Sequence, residues 1–201
     1  MSNKNRHKLF DDYSIEITTD AGRFREFFDK YVMVVFGDSG SINFEEIYSS
    51  KEKENRDNLS ENLGQPYRLR LYILKGKKKI GWFFGKQENF ETFCMTNTGI
   101  LKQYRNKGIY KKILPVILQI LKEKGFQKVT SRHSVTNNNV IIPKLKAGFV
   151  ISGFEISDVF GSLVHLTYYF NETRRKIIEY RVTGQSPDAQ ILKLLNLNKN
   201  K

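Results

Sequence analysis

Residues 98–149 read TGILKQYRNKGIYKKILPVILQILKEKGFQKVTSRHSVTNNNVIIPKLKAGF, and the fold turns on how this stretch divides. Its centre is Arg105-Asn106-Lys107-Gly108-Ile109-Tyr110, a basic turn set between an extended run and a helical one. A glycine turn that opens a helix can hold an anion, because the first helical N–H groups have no intrahelical acceptor and the helix dipole adds partial positive charge. Downstream, Ile109, Ile113, Ile117 and Leu121 recur every four residues with Leu114 and Leu118 alongside, which predicts a helix with one apolar stripe facing a sheet. Lys122, Lys124 and Gly125 mark its end. Pro115 falls inside it and is expected to loosen or kink the first turns. Alone, the pattern also fits a Gly108 that does no more than relieve a tight bend.

Charge separates these readings. From Thr92 to Phe154 the sole carboxylate is Glu123, set against Lys102, Arg105, Lys107, Lys111, Lys112, Lys122, Lys124, Lys128, Arg132, Lys144 and Lys146. The surplus positive charge therefore gathers around the turn. In this setting Arg105-x-x-Gly108-x-Tyr110 resembles the Gln/Arg-x-x-Gly-x-Gly/Ala loop of the GNAT superfamily of acyl-CoA N-acyltransferases, which cradles the coenzyme A pyrophosphate. Asn137-Asn-Asn-Val-Ile-Ile-Pro-Lys144-Leu-Lys-Ala-Gly148-Phe149 is similar to the later family segment that opens on Asn and closes on Gly-Phe. The likeness runs from Tyr67 to Phe170.

That resemblance implies an α/β (α+β) fold with a mixed, mostly antiparallel central sheet of about six to seven strands flanked by helices. It also implies a parallel strand pair that splays apart to admit an acyl-CoA, with acetyl-CoA as the simplest co-substrate and a small-molecule or protein amine as acceptor. Residues 1–170 would form the acyltransferase domain, with its core at 67–170, and residues 171–201 a basic helical appendage. The splayed strands would end at Ile100-Leu101 and at Arg132-His133. The pyrophosphate would meet the N–H groups of Arg105, Asn106, Lys107, Gly108, Ile109 and Tyr110, with the charges of Arg105 and Lys107 helping. Asn137 would join the cofactor site. Tyr110 departs from the family's Gly or Ala at the end of the loop, which is harmless if the ring points away.

Composition sets the outer bounds. With 201 residues and 39% hydrophobic content, one full core with a small appendage is the natural expectation. A net charge of +13 and a pI near 9.7 point to an anionic partner, without distinguishing a nucleotide cofactor, nucleic acid or membrane surface. The single cysteine, Cys94, excludes an intramolecular disulfide and a cysteine-cluster zinc site, and no metal is expected. No run is long and apolar enough to span a bilayer, and the start lacks a secretion-signal core, so a cytoplasmic setting is expected.

Elsewhere, residues 1–8 read as unstructured. Tyr13 to Thr19 alternates as a strand, and Thr19 or Asp20 can cap a helix carrying Phe24, Phe27, Phe28, Tyr31 and Val35. A short helix is expected from Ile42 to Tyr48, and an exposed loop or solvated helical extension over Ser49–Gln65. Tyr67–Leu74 and Ile80–Phe84 flank a Lys75-Gly76-Lys77-Lys78 turn as a hairpin, and Phe90–Leu101 adds a third strand. After the long helix come a strand at Lys128–Ser134, a short helix at Asn139–Ala147, strands at Val150–Ser157 and Leu163–Phe170, and small helices at Asn171–Val182 and Pro187–Asn196.

Acyl transfer to an amine needs a base for the amine, polarisation of the thioester carbonyl and an acid for the leaving thiolate. Lys144 stands where the family often carries a Tyr acid, and as a helix lysine it is expected to be exposed. Glu91, with Glu88 as a second choice, is the carboxylate available as a base on the Phe90–Leu101 strand. His133 titrates near working pH and ends a strand that should face the cleft, so it is a base or substrate contact. Cys94 lacks an identifiable activating partner and reads as a small core side chain. Two other readings compete with an active N-acetyltransferase: an acyl-CoA sensor, favoured by Tyr110, Lys144 and the missing mid-strand carboxylate, and a nucleic-acid-binding protein built on the same basic surface.

Overall fold

The computed structural model describes residues 5–37, 47–61, 63–183 and 186–195. The short helix expected over Ile42–Tyr48 falls mostly outside them. Among the described residues eight strands form one sheet: β1 (Arg6–Phe10), β2 (Tyr13–Ile17), β3 (Arg68–Lys75), β4 (Lys78–Gln87), β5 (Thr92–Ile100), β6 (Lys128–Ser134), β7 (Val150–Ser157) and β8 (Gly161–Tyr169). They lie in the order β1-β2-β3-β4-β5-β6-β8-β7, antiparallel except for β5 and β6. The strand beyond the expected count is β1, which begins within the residues 1–8 expected to be unstructured and runs on to Phe10. Its charged sequence carries little pattern of its own, and pairing with β2, with Arg6 opposite Glu16, supplies the order.

Helix α1 (Ala21–Phe36) starts at Asp20, whose carboxylate accepts from the Arg23 N–H at 2.9 Å. Its aromatic stripe covers one face of the sheet: Phe27 and Phe28 meet Trp82 edge-on, and Phe24 tilts against Tyr72. Helix α2 (Ser50–Glu61) buries nothing, and is held at its start by a reciprocal Ser49–Glu52 capping box. The solvated extension is thus the form the charged segment takes.

Helix α3 (Ile109–Glu123) covers the opposite face. Ile109, Ile113, Leu114, Ile117, Leu118 and Leu121 are all buried, as the four-residue spacing predicts. Each such side chain contributes roughly 1.5–3 kcal/mol. The helix runs through Pro115 without interruption. The Lys111 carbonyl that would have met the missing N–H belongs to an exposed residue, so water can satisfy it. Helix α4 (Asn138–Lys146) follows β6 and returns the chain through Gly148 to β7. Helices α5 (Glu172–Thr183) and α6 (Ala189–Leu194) close the described chain. Arg174 of α5 forks onto Glu91, and Ile191 of α6 is buried, so this segment is docked. No described helix is long and apolar enough to cross a membrane.

Candidate functional site

β5 and β6 are hydrogen-bonded partners only at their beginnings, with Thr92 opposite Lys128, Phe93 opposite Val129 and Cys94 opposite Thr130. Past Cys94 each stays paired on its outer side, β5 with β4 as far as Ile100 and β6 with β8 as far as Ser134, but not with the other. The two strands part, leaving a seam through the sheet. A bulge in the β4–β5 register between Phe84 and Gly85 lies just past the last shared pair, and such an insertion bends and twists its strand. Gly99 lets β5 lie against β4 here, since a Cβ on it would come within 2.5 Å of the Trp82 ring.

The seam opens at its wide end into a cleft of about 650 Å³. Its walls are Thr98 and Ile100 of β5, the 104–111 loop and helix start, and Asn137 to Asn139 with Pro143. Gly108 caps α3 with φ +73 and ψ 2, a left-handed conformation that disfavours other residues, and a Cβ there would meet open space. Asn106 also has positive φ, 61. Among the described residues, the N–H groups of Asn106, Lys107, Gly108, Ile109, Tyr110 and Lys111 donate to no carbonyl or side chain; the first helical bond runs from Lys112 to the Gly108 carbonyl. A run of unspent donors at a helix start, with cations around it, is an arrangement whose partial positive charge favours an anion.

The other loop residues differ from expectation in instructive ways. Rather than being aimed at a phosphate, as the resemblance implies, the Arg105 guanidinium is a clamp: Nε donates to the Ile100 carbonyl at 2.9 Å and Nη2 to the Val35 carbonyl at 2.5 Å. It ties the end of α1 to the end of β5. Lys107, with Nζ 5.8 Å from the Tyr104 ring, is left as the exposed cation of the turn. The Tyr110 ring packs against the main core while lining the cleft, and burial pushes its hydroxyl well above the ordinary tyrosine range. Ile100 lines the cleft. Leu101 does not: its side chain is buried in the cluster under α1, its N–H donates to Ile80, and its carbonyl accepts from Tyr104. Asn137 makes no side-chain cap for α4 and faces the cleft. Thr98, Asn138 and Asn139 line the cleft without having been assigned to the site from sequence, where the run of three asparagines was the available signal; the end of α1, through Val35 and Phe36, joins the lining, as the family resemblance implies for the first helix.

The residues singled out for catalysis separate widely. Glu91 precedes β5 at the narrow end of the seam, bound by Arg174 at 2.8 Å and by Lys128 at 3.0 Å. Hydrogen bonds from those two cations hold its carboxyl at about 2, so it is a structural anion and a poor base. Glu88 is better placed: it accepts from the hydroxyl of Thr130, the last β6 residue paired with β5, at 2.8 Å, with Arg132 at 3.4 Å. His133 bonds Ser131 Oγ at 3.1 Å, and burial, assisted by the Lys144 charge, depresses it to about 3, so it is neutral at working pH and weakly basic. Burial pushes the Cys94 thiol up, the opposite of an activated nucleophile.

Lys144 overturns its expected exposure. It is 1% exposed, on the face of α4 that also buries Ile141. Its Nζ lies 3.6 Å from Met95 Sδ and 5.0 Å from the Phe149 ring centroid. Met95 is the first β5 residue past the parting, so this amine sits at the apex of the seam. No carboxylate pairs with it among the described residues, and desolvation lowers its pKa to about 7.

No protein-family model matches the sequence, and no curated protein matches it. Solved structures do match the fold. A GNAT family acetyltransferase from Elizabethkingia anophelis, crystallised with acetyl-CoA, aligns over 80% of this chain and 100% of its own at 13% identity and TM-score 0.53. A putative acetyltransferase from Salmonella typhimurium with its cofactor acetyl-CoA aligns over 80% and 95% at 13% identity and TM-score 0.57. An IAA acetyltransferase from Bacillus cereus aligns over 79% and 99% at 14% identity and TM-score 0.56. At such identities the likeness is one of fold, that of the GNAT acetyltransferases.

Proposed function

Starting from the GNAT fold, we propose that this chain is an acyl-CoA-dependent N-acyltransferase, most simply one that moves an acetyl group from acetyl-CoA to a primary amine. The observation that carries this reading is the pairing of two features at one place: a seam where β5 and β6 part, and a run of unspent N–H donors at its mouth. The donors from Asn106 to Lys111, with Lys107, suit a diphosphate. Asn137 and Ile100 line the path from there to the seam. Neighbours of the same fold crystallised with acetyl-CoA support the choice of ligand.

Within the seam the residues divide the chemistry. A bound amine and thioester held in line escape much of the entropic cost of meeting. Glu88 takes the proton that the amine loses, directly or through water. Lys144, as an ammonium with its pKa brought to about 7, gives a proton to the departing thiolate. A thiol near 8.5 is the weaker acid, so the transfer runs downhill. His133, neutral at working pH, helps to line the apex and carries no proton in this scheme.

The test combines binding with turnover. Acetyl-CoA at a hundred times its Kd should stabilise the fold by about 2.7 kcal/mol, and amines should release free thiol in proportion to acylated product. Gly108→Glu, which sets a carboxylate in the open space before the donors, should abolish the stabilisation while the fold persists. Unchanged calorimetric affinity in that variant would sink the diphosphate site. Stabilisation with no thiol release across a broad amine panel would leave an acyl-CoA-binding protein without transferase activity.

A further inference from the structure

We infer that the Lys144 amine is itself an acyl acceptor, and that acyl-CoA bound in the seam acylates it when no other amine is present. The inference rests on the reading of the seam as an acyl-CoA site. Its own basis is the placement of Nζ: fully enclosed, in contact with a thioether and an aromatic ring, at the point where β5 and β6 separate. Buried lysines normally pair with a carboxylate. This one has none among the described residues, and its enclosure favours the neutral amine, the nucleophilic form.

An amine close enough to protonate the thioester sulfur is also within non-bonded reach of the carbonyl carbon attached to that sulfur. In the neutral form, the Lys144 nitrogen adds its lone pair to the carbonyl carbon. The C–N bond forms, the C–S bond breaks with its electron pair on sulfur, and the proton shed by nitrogen ends on the thiolate. The products are coenzyme A thiol and an acylated lysine; atoms and charge balance without a further reactant. The resulting amide carries no transferable proton of useful acidity and fills the apex. The chain would stall itself when donor is plentiful and acceptor is scarce.

Two features make the reaction selective. Bulk reagents reach the exposed lysines of this strongly cationic surface first, because Lys144 is 1% exposed. A thioester carried in on a pantetheine arm meets Lys144 instead. The titratable groups whose charges act on it are Cys94 and His133. Burial raises the thiol and lowers the imidazole, so neither changes charge near neutral pH. The pH dependence of the labelling therefore belongs to Lys144 alone.

The experiment uses the full chain, acetyl-CoA and no added amine, read by intact mass and peptide mapping. One acetyl group per chain is expected, on Lys144, with a rate that rises about tenfold per pH unit up to pH 7 and then levels off. An excess of acceptor amine or of coenzyme A should suppress it. N-hydroxysuccinimidyl acetate, lacking the nucleotide, should label exposed lysines and spare this one. Acetyl-CoA that binds by calorimetry but leaves Lys144 unmodified, or that labels surface lysines indiscriminately, overturns the inference alone. Acetyl-CoA that does not bind overturns both this and the function proposed above.

Discussion

Replacing Lys144 by Met should make the protein more stable and less active. Methionine reproduces the length of the lysine stem and puts a second thioether beside Met95 and Phe149, so the perturbation removes the amine with little change in volume. An ordinary lysine titrates at 10.5 and this one at about 7, so the unfolded chain holds a proton that the folded chain gives up across that interval. At 1.36 kcal/mol per tenfold change, the interval amounts to roughly 5 kcal/mol, of which about 4 kcal/mol opposes folding at pH 7. Because the unfolded state binds more protons, the wild-type chain gains stability as pH rises from 7, by about 2 kcal/mol at pH 9. Lys144→Met should therefore exceed wild type by about 2–4 kcal/mol at pH 7, on the order of 10 °C in Tm, and by about 2 kcal/mol less at pH 9. Urea unfolding of both proteins at several pH values between 6.5 and 9 reads this directly, since titrations common to both cancel in the difference. Equal stability at pH 7, or a difference that does not change with pH, would refute the claim that the fold holds this amine against its ionisation.

Other sites yield independent expectations. Arg105→Ala removes two charge-assisted hydrogen bonds to the Ile100 and Val35 carbonyls, and should cost about 2–4 kcal/mol in denaturant unfolding, with Arg105→Lys unable to restore both contacts. His133 is depressed to about 3 against an ordinary 6.5, so the folded chain resists a proton that the unfolded chain accepts. Stability should fall with pH from about 6.5 toward 3, and His133→Gln should flatten that limb of the acid-unfolding curve. Glu91, held at about 2, contributes stability that is full above 4.5 and lost as pH falls through 2. Glu91→Gln should abolish this part of the acid transition yet leave turnover at neutral pH intact, and loss of turnover in a folded Glu91→Gln protein would return it to the list of bases.

Local rules reach far into this chain. The spacing of Ile109, Ile113, Ile117 and Leu121, with Leu114 and Leu118 alongside, predicts α3 and its buried face, and all six positions are buried. The glycine turn predicts a helix start with free donors, which is a property of neighbouring residues alone and is found at Gly108. Alternation predicts β3 and β4, and the charged composition around Ser49 predicts a solvated segment. β1 escaped because its pattern is weak and its order comes from a partner strand. The site residues were less legible. Glu91 was a plausible base by strand position, but its cations, Lys128 and Arg174, come from β6 and α5. Leu101 follows Ile100 in sequence, but β5 ends at Ile100 and Leu101 begins a turn that buries its side chain in the cluster under α1.

By itself, then, the sequence determined most of the elements, their order, and a cationic glycine turn at a helix start, because each depends on side-chain period, glycine conformation or charge within a short span. The tertiary structure decided what those elements do to one another. A guanidinium clamps a carbonyl 70 residues away. Two parallel strands separate after Cys94, where the β4 register slips beside one of them. A helix turns a lysine into the seam so that its amine loses water and, among the described residues, meets no anion. Desolvation depends on every atom that packs around a group, wherever in the chain those atoms lie, and no local pattern of residues carries that information.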